Sequence, residues 1–115
     1  MKINERRAHG FYIIELAERL TIRDDLDRVV ALLEQALKHG EKHIAIGLRT
    51  VTYLDSTGSA QLIVCYNLAR QAGVRLSFLN PSPHVAKTFE ITKLDTIFDV
   101  VDEDTLPQVE GGMKR

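Results

Sequence analysis

Three short apolar runs, FYIIEL (Phe11–Leu16), HIAIGL (His43–Leu48) and RLSFLN (Arg75–Asn80), are separated by two segments of helical length and pattern. This alternation constrains the fold more than any other feature. The runs are too short for helices and rich in branched and aromatic residues, which suits strands. Between the first two, Leu26, Val29, Val30, Leu33, Ala36 and Leu37 recur at three- and four-residue spacing. Asp24, Asp25 and Asp27 fall in the first turn of that helix, Lys38 and His39 in the last, and Gly40 follows. Helix-end electrostatics favour that order of charges. Between the second and third runs a helix is expected from about Thr57 to Ala72, closed by Gly73, with Ala60, Ile63, Val64 and Leu68 forming its inward face. Strand, helix, strand, helix, strand with short links implies right-handed crossovers between parallel strands. The expected class is therefore α/β, with a mixed, mostly parallel sheet covered by helices. HIAIGL, nearly all apolar, suits a central strand covered on both faces.

The flanking segments extend this plan. Residues near Lys2 to Arg7 pair with FYIIEL as a hairpin around His9 and Gly10. Ser82 followed by Pro83 is a cap and first-turn pair for a third helix, with Val85, Ala86 and Phe89 inward. IFDVV (Ile97–Val101) reads as a last strand, and Asp102–Leu106 as a short helical turn. A chain of 115 residues that is 44% hydrophobic has room for one core. One domain over 1–106 is expected, with a loosely held tail over 107–115.

Composition narrows the function. A formal charge of -1 with both signs interspersed offers no basic stripe, so nucleic acid is not an expected partner. No apolar stretch approaches the ~20 residues of a membrane span, and the charged start MKINERRAHG has no signal-peptide core after it. A cytoplasmic location without membrane attachment is expected. One cysteine, Cys65, and four scattered histidines lack metal-ligand spacing, so neither metal nor cofactor is expected. Cys65 reads as a small buried hydrophobe, and His9, His39, His43 and His84 as surface or helix-end residues.

YLDSTGSAQL (Tyr53–Leu62) remains to be explained, since it leaves the carboxyl end of the HIAIGL strand, where functional loops gather in parallel sheets. Ser, Thr and Asp ahead of an apolar periodic run are favoured helix caps. A cap accounts for one hydroxyl, not for two hydroxyls and an acid in succession. A nucleophile elbow would place glycines two residues either side of Ser56; Gly58 fits, but Leu54 occupies the other position and His84 is the sole downstream imidazole. The order Asp55-Ser56-Thr57-Gly58 is one residue too long for the Asp-Thr-Gly of an aspartic protease. A phosphoaccepting receiver would need an acidic pair directly after its first strand and a late strand ending in lysine. Neither is present.

Taken with the order of elements, the chain resembles a STAS domain, the fold of bacterial anti-sigma factor antagonists. The resemblance runs from FYIIEL to IFDVV. It rests on YLDSTG for the Asp-Ser-Ser/Thr-Gly signature, on Gly73 with RLSFLN, and on SPHVAKTFEITKLDTIFDV for the closing helix, Ile-Thr-x-Leu turn and Phe-x-Val strand. It implies a non-enzymatic switch. Ser56 would be phosphorylated by a partner that is both anti-sigma factor and serine kinase, and a serine phosphatase would reset it. Thr57 is the second candidate acceptor. The unphosphorylated form would hold the partner and so regulate sigma-factor-dependent transcription; the phosphorylated form would release it. The implied partner surface comprises Asp55, Ser56, Thr57, Gly58, Ser59 and Leu62, with loops at Thr21 and at Asn80 to Ser82, on a monomer or weak dimer. Two positions depart from the family pattern. Thr21 stands where many antagonists carry an acid, which implies slow phosphorylation or a divergent kinase. Ser59-Ala60 replaces Leu-Gly, which implies a different choice of partner. The alternative is a STAS scaffold, or a small-ligand or lipid-binding module, that keeps the fold without the switch.

Overall fold

The computed structural model describes residues 1–21 and 26–107. The expected first-turn acids Asp24 and Asp25, and the tail beyond Pro107, lie outside them. The chain opens with an antiparallel hairpin, β1 (Lys2–Ala8) and β2 (Phe11–Leu20), whose Ala8↔Phe11 register leaves a two-residue turn. His9 (φ 58°) and Gly10 (φ 80°) both adopt left-handed backbone there, which matches the twist of the paired strands. Then come α1 (Asp27–Lys38), β3 (His43–Leu54), α2 (Ser56–Gln71), β4 (Arg75–Leu79), α3 (Pro83–Thr92) and β5 (Asp99–Val101). Single 3₁₀ turns at Leu94–Thr96 and Glu103–Thr105 flank β5.

The sheet order is β1-β2-β3-β4-β5, with every pair after the hairpin parallel. The crossovers all advance in one direction, and a common hand then puts every helix on the same face. One face of the sheet thus carries the main core. Ile14, Leu16, Ile44, Ile46, Leu48, Leu76 and Phe78 pack there under Val29 and Leu33 of α1, Leu62, Cys65 and Ala69 of α2, and Val85 and Phe89 of α3. Phe78 and Phe98 stack at 4.2 Å, and Phe89 meets Phe98 edge-on at 5.3 Å. The expectation that helices cover the sheet therefore holds for one face only. The other face has a small cluster of Phe11, Ile13, Ala45 and Leu79, covered in part by Ala8, Val101 and Leu106.

Four expectations change in detail. HIAIGL is buried on both faces but continues as strand to Leu54, because β2 pairs alongside it through two register shifts up to Leu20↔Leu54. IFDVV contributes only Asp99–Val101 to the sheet; Ile97 is exposed, and Phe98 enters the core from the preceding turn. Ala86 faces outward on α3, leaving Val85 and Phe89 as its buried pair. The buried face of α2 is Gly58, Ser59, Leu62, Cys65 and Ala69, whereas Ala60, Ile63 and Val64 are exposed.

Candidate functional site

The start of α2 is built by an acid. Asp55 holds extended backbone (φ −94°, ψ −176°), and its Oδ1 accepts from the Gly58 N–H at 2.8 Å. Its own N–H donates to the Leu20 carbonyl at 3.2 Å, and its carbonyl accepts from the Ser59 N–H at 2.9 Å. Asp55 is thereby the helix cap and also the tie between the ends of β2 and β3. Neither hydroxyl is needed for capping. Ser56 is the first residue of the helix, exposed, and its side chain makes no hydrogen bond among the described residues. Thr57 beside it is half-buried.

Gly58 is required by packing. A Cβ at this position would lie 2.3 Å from the Leu20 carbonyl oxygen and 2.7 Å from Leu54 Cδ1. The absence of a side chain lets the first turn of α2 seat on the end of β2. Ser59 is also buried, and Leu62 is 1% exposed. Thr21, directly after β2, is buried too.

The structure divides the expected partner surface. Asp55, Ser56 and Thr57 stay together at the carboxyl ends of β2 and β3. Thr21, Gly58, Ser59 and Leu62 sit beneath that surface and shape it without being available for broad contact. Asn80 lies further away, beyond the end of β4, whereas Ser82 sits beside Val51, four residues short of Asp55. Leu79 is level with Gly47, so β3 runs on for seven residues past the end of β4. At about 3.3 Å per residue this is roughly 23 Å. Ser82 instead donates its hydroxyl to the Val51 carbonyl at 2.5 Å and accepts from the Val85 N–H at 3.4 Å, while the Asn80 Oδ1 accepts from the Glu103 N–H at 3.0 Å. These two residues join elements of the fold.

Helix α2 also presents an exposed stripe. Ser56, Ala60, Ile63, Val64 and Asn67 recur at helical spacing along one outward face. Across from it Tyr53, 46% exposed, pairs its ring with His84 at 5.1 Å, bringing the first turn of α3 alongside β3. Sequence reasoning assigned Ala60, Ile63 and Val64 to the core because α2 is apolar on both sides. The available clue was the run of small residues Gly58, Ser59, Cys65 and Ala69, which permits close approach to the sheet. Cys65 itself is fully buried, and burial pushes its thiol pKa up to about 12, so it is not poised as a nucleophile. Among the described residues there is no His, Cys, Asp and Glu grouping that could hold a metal ion, and no helix long and apolar enough to cross a membrane.

The profile of the family described as Mlab, STAS domain, matches residues 4–102, and the chain belongs to the STAS domain family. Solved structures share the fold. The anti-sigma factor antagonist SpoIIAA in its unphosphorylated form superposes with a TM-score of 0.71 at 20% identity, over 90% of this chain and 90% of that one. The Bacillus cell fate determinant SpoIIAA in the phosphorylated form gives 0.67 at 19% identity, over 90% and 94%. An anti-sigma factor antagonist from Mycobacterium paratuberculosis gives 0.73 at 14% identity, over 86% and 83%. A search of curated protein sequences finds no match.

Proposed function

We propose that this chain is an anti-sigma factor antagonist in which Ser56 is the phosphorylation switch. The observation that carries the proposal is the division of labour at the start of α2. Asp55 supplies the cap, so the Ser56 hydroxyl stands exposed, with no hydrogen bond among the described residues, at the head of an apolar stripe formed by Ala60, Ile63 and Val64. With the hydroxyl neutral, that stripe and the Tyr53–His84 pair form a surface against which an anti-sigma factor with serine kinase activity docks. Transfer of a phosphoryl group forms a bond from Ser56 Oγ to the γ-phosphorus of the partner's nucleoside triphosphate. The bond to the diphosphate breaks, and the hydroxyl proton passes to a base of the partner. The chain is the substrate of this step and performs no turnover of its own. Phosphorylation adds about −1.5 to −2 of charge. The helix N-terminus accommodates this charge within the fold, whereas an interface matched to a hydroxyl would bury it without a partner. Release then requires no large rearrangement, and a serine phosphatase restores binding.

The test is phosphopeptide mass spectrometry on the protein from its native cells, combined with recovery of bound proteins on wild type, Ser56→Ala and Ser56→Asp. Phosphate on Ser56, with a serine kinase retained by the alanine form and lost by the aspartate form, supports the switch. No phosphate under any growth condition, with the same proteins bound to all three forms, overturns it in favour of a non-switching scaffold. Phosphate on Thr57 alone would move the acceptor by one residue.

A further inference from the structure

The face of the sheet not covered by α1, α2 and α3 carries a second feature at the opposite pole. Alternation along the strands points Phe11, His43, Arg75, Ser77, Asp99 and Val101 to that face, all but Val101 toward the amino ends of the parallel strands. There they line a cavity of about 480 Å3, closed on one side by Thr105, Leu106 and Pro107. This is the size of a small-molecule site. Its chemistry is two-sided. Phe11, Val101 and Leu106 supply an apolar wall, and the Phe11 ring is itself backed by His43 at 5.4 Å. Lys42 and Arg75 supply positive charge at the rim.

Among the described residues Asp99 is the one acid lining the cavity, and its carboxylate is already engaged. Arg75 donates to it through Nε at 2.8 Å and through a terminal nitrogen at 2.9 Å, and the buried Ser77 hydroxyl donates at 2.7 Å. Two of the five guanidinium N–H groups are used in this way, and the other three make no hydrogen bond among the described residues. Lys42 makes no ion pair among the described residues. An apolar wall beneath a net positive rim fits a molecule with a hydrocarbon or aromatic body and a single anionic head.

We propose that this cavity binds a small amphipathic carboxylate, its head at Lys42 and Arg75 and its apolar body against Phe11, Val101 and Leu106. The site is separate from the Ser56 surface. His43 and Leu54 are the two ends of β3, roughly 36 Å apart at about 3.3 Å per residue, so occupancy leaves the docking stripe uncovered. The proposal does not depend on the switch.

The test is a two-dimensional amide NMR titration of the full chain with sodium octanoate, alongside 1-octanol and inorganic phosphate as separate probes. Saturable shifts are expected below about 1 mM octanoate at Phe11, His43, Ser77 and Thr105, with Ser56 and Ile63 unmoved. Lys42→Glu, an exposed change, weakens binding at least tenfold. Leu106→Trp, which fills the cavity from its edge, removes it. Octanol and phosphate each bind at least tenfold more weakly than octanoate. The proposal is overturned by any of three results: no saturable shift with octanoate, equal affinity in Lys42→Glu with its fold confirmed by the same spectrum, or equal affinity for octanol, which would mean an apolar pocket indifferent to charge.

Discussion

At the residue scale, two glycines separate packing necessity from tolerance. Gly58 faces the Leu20 backbone carbonyl, which belongs to a paired strand and cannot move aside. Gly47 faces the Glu15 carboxylate, with 2.5 Å from an added Cβ to either oxygen, but that is the mobile end of a side chain. Gly58→Ala is therefore expected to cost about 1–3 kcal/mol of unfolding free energy. Gly47→Ala is expected to cost less, since Glu15 can swing away at the expense of its 2.9 Å contact with Arg6. Urea unfolding of both variants gives the ranking, and an inverted order would mean that β2 yields more readily than its pairing implies. Ser56→Asp addresses the same helix start from the electrostatic side. A carboxylate in the first turn interacts favourably with the helix dipole, so stability should stay within about 1 kcal/mol of wild type while partner binding is lost. A large fall in the thermal midpoint would instead assign a structural role to the hydroxyl. The acid and hydroxyls of YLDSTG were legible in the sequence as a cap or a switch. That Asp55, and neither hydroxyl, is the cap is decided by a hydrogen bond that several of these side chains could have made.

At the element scale, α2 shows what periodicity could not decide. Its apolar residues occupy both sides, so spacing alone admits two rotations of the helix about its axis. The observed rotation buries the small residues Gly58, Ser59, Cys65 and Ala69 and turns Ile63 and Val64 outward. Small residues permit close packing on the sheet, and dispersion and apolar burial reward it. This rotation predicts opposite outcomes for neighbouring substitutions. Leu62→Ala should cost about 2–5 kcal/mol by leaving a cavity. Ile63→Lys should leave the unfolding midpoint nearly unchanged and, on the proposed function, abolish retention of a kinase partner. Thermal unfolding and partner recovery on both variants check this; equal destabilisation would show that Ile63 is held against the core. In contrast, α1 was legible at once, because its Leu26, Val29, Leu33 and Ala36 stripe lies opposite charged residues.

At the scale of the whole molecule, the segment after β5 is strapped back across the sheet to the first strand. Arg6 donates to Glu103 at 2.9 and 2.6 Å and to Glu15 at 3.0 and 2.9 Å, joining positions 97 residues apart. The hydrogen bonds from Arg6 hold the Glu103 carboxyl below the usual glutamate range, against the opposing effect of its burial. A depressed carboxyl pKa contributes stability that is present above the unfolded value, about 4.3, and lost as pH falls through the folded one. Glu103→Gln should thus be less stable than wild type near neutral pH, with the difference closing as pH drops below about 4. Thermal midpoints between pH 7 and 3 test this, and a constant difference would remove Glu103 from the titration. By itself the sequence determined the order of strands and helices, the class of sheet and the location of the Ser56 motif, because these follow from local spacing, caps and crossover length. The tertiary structure alone decided which side of α2 faces solvent, that every helix lies on one face, that β3 outruns β4 and carries Ser56 away from Asn80, and that Arg6 meets Glu103. Those outcomes depend on register, packing and contacts between residues distant in the chain; only the rotation of α2 had a local clue, its small residues Gly58, Ser59, Cys65 and Ala69.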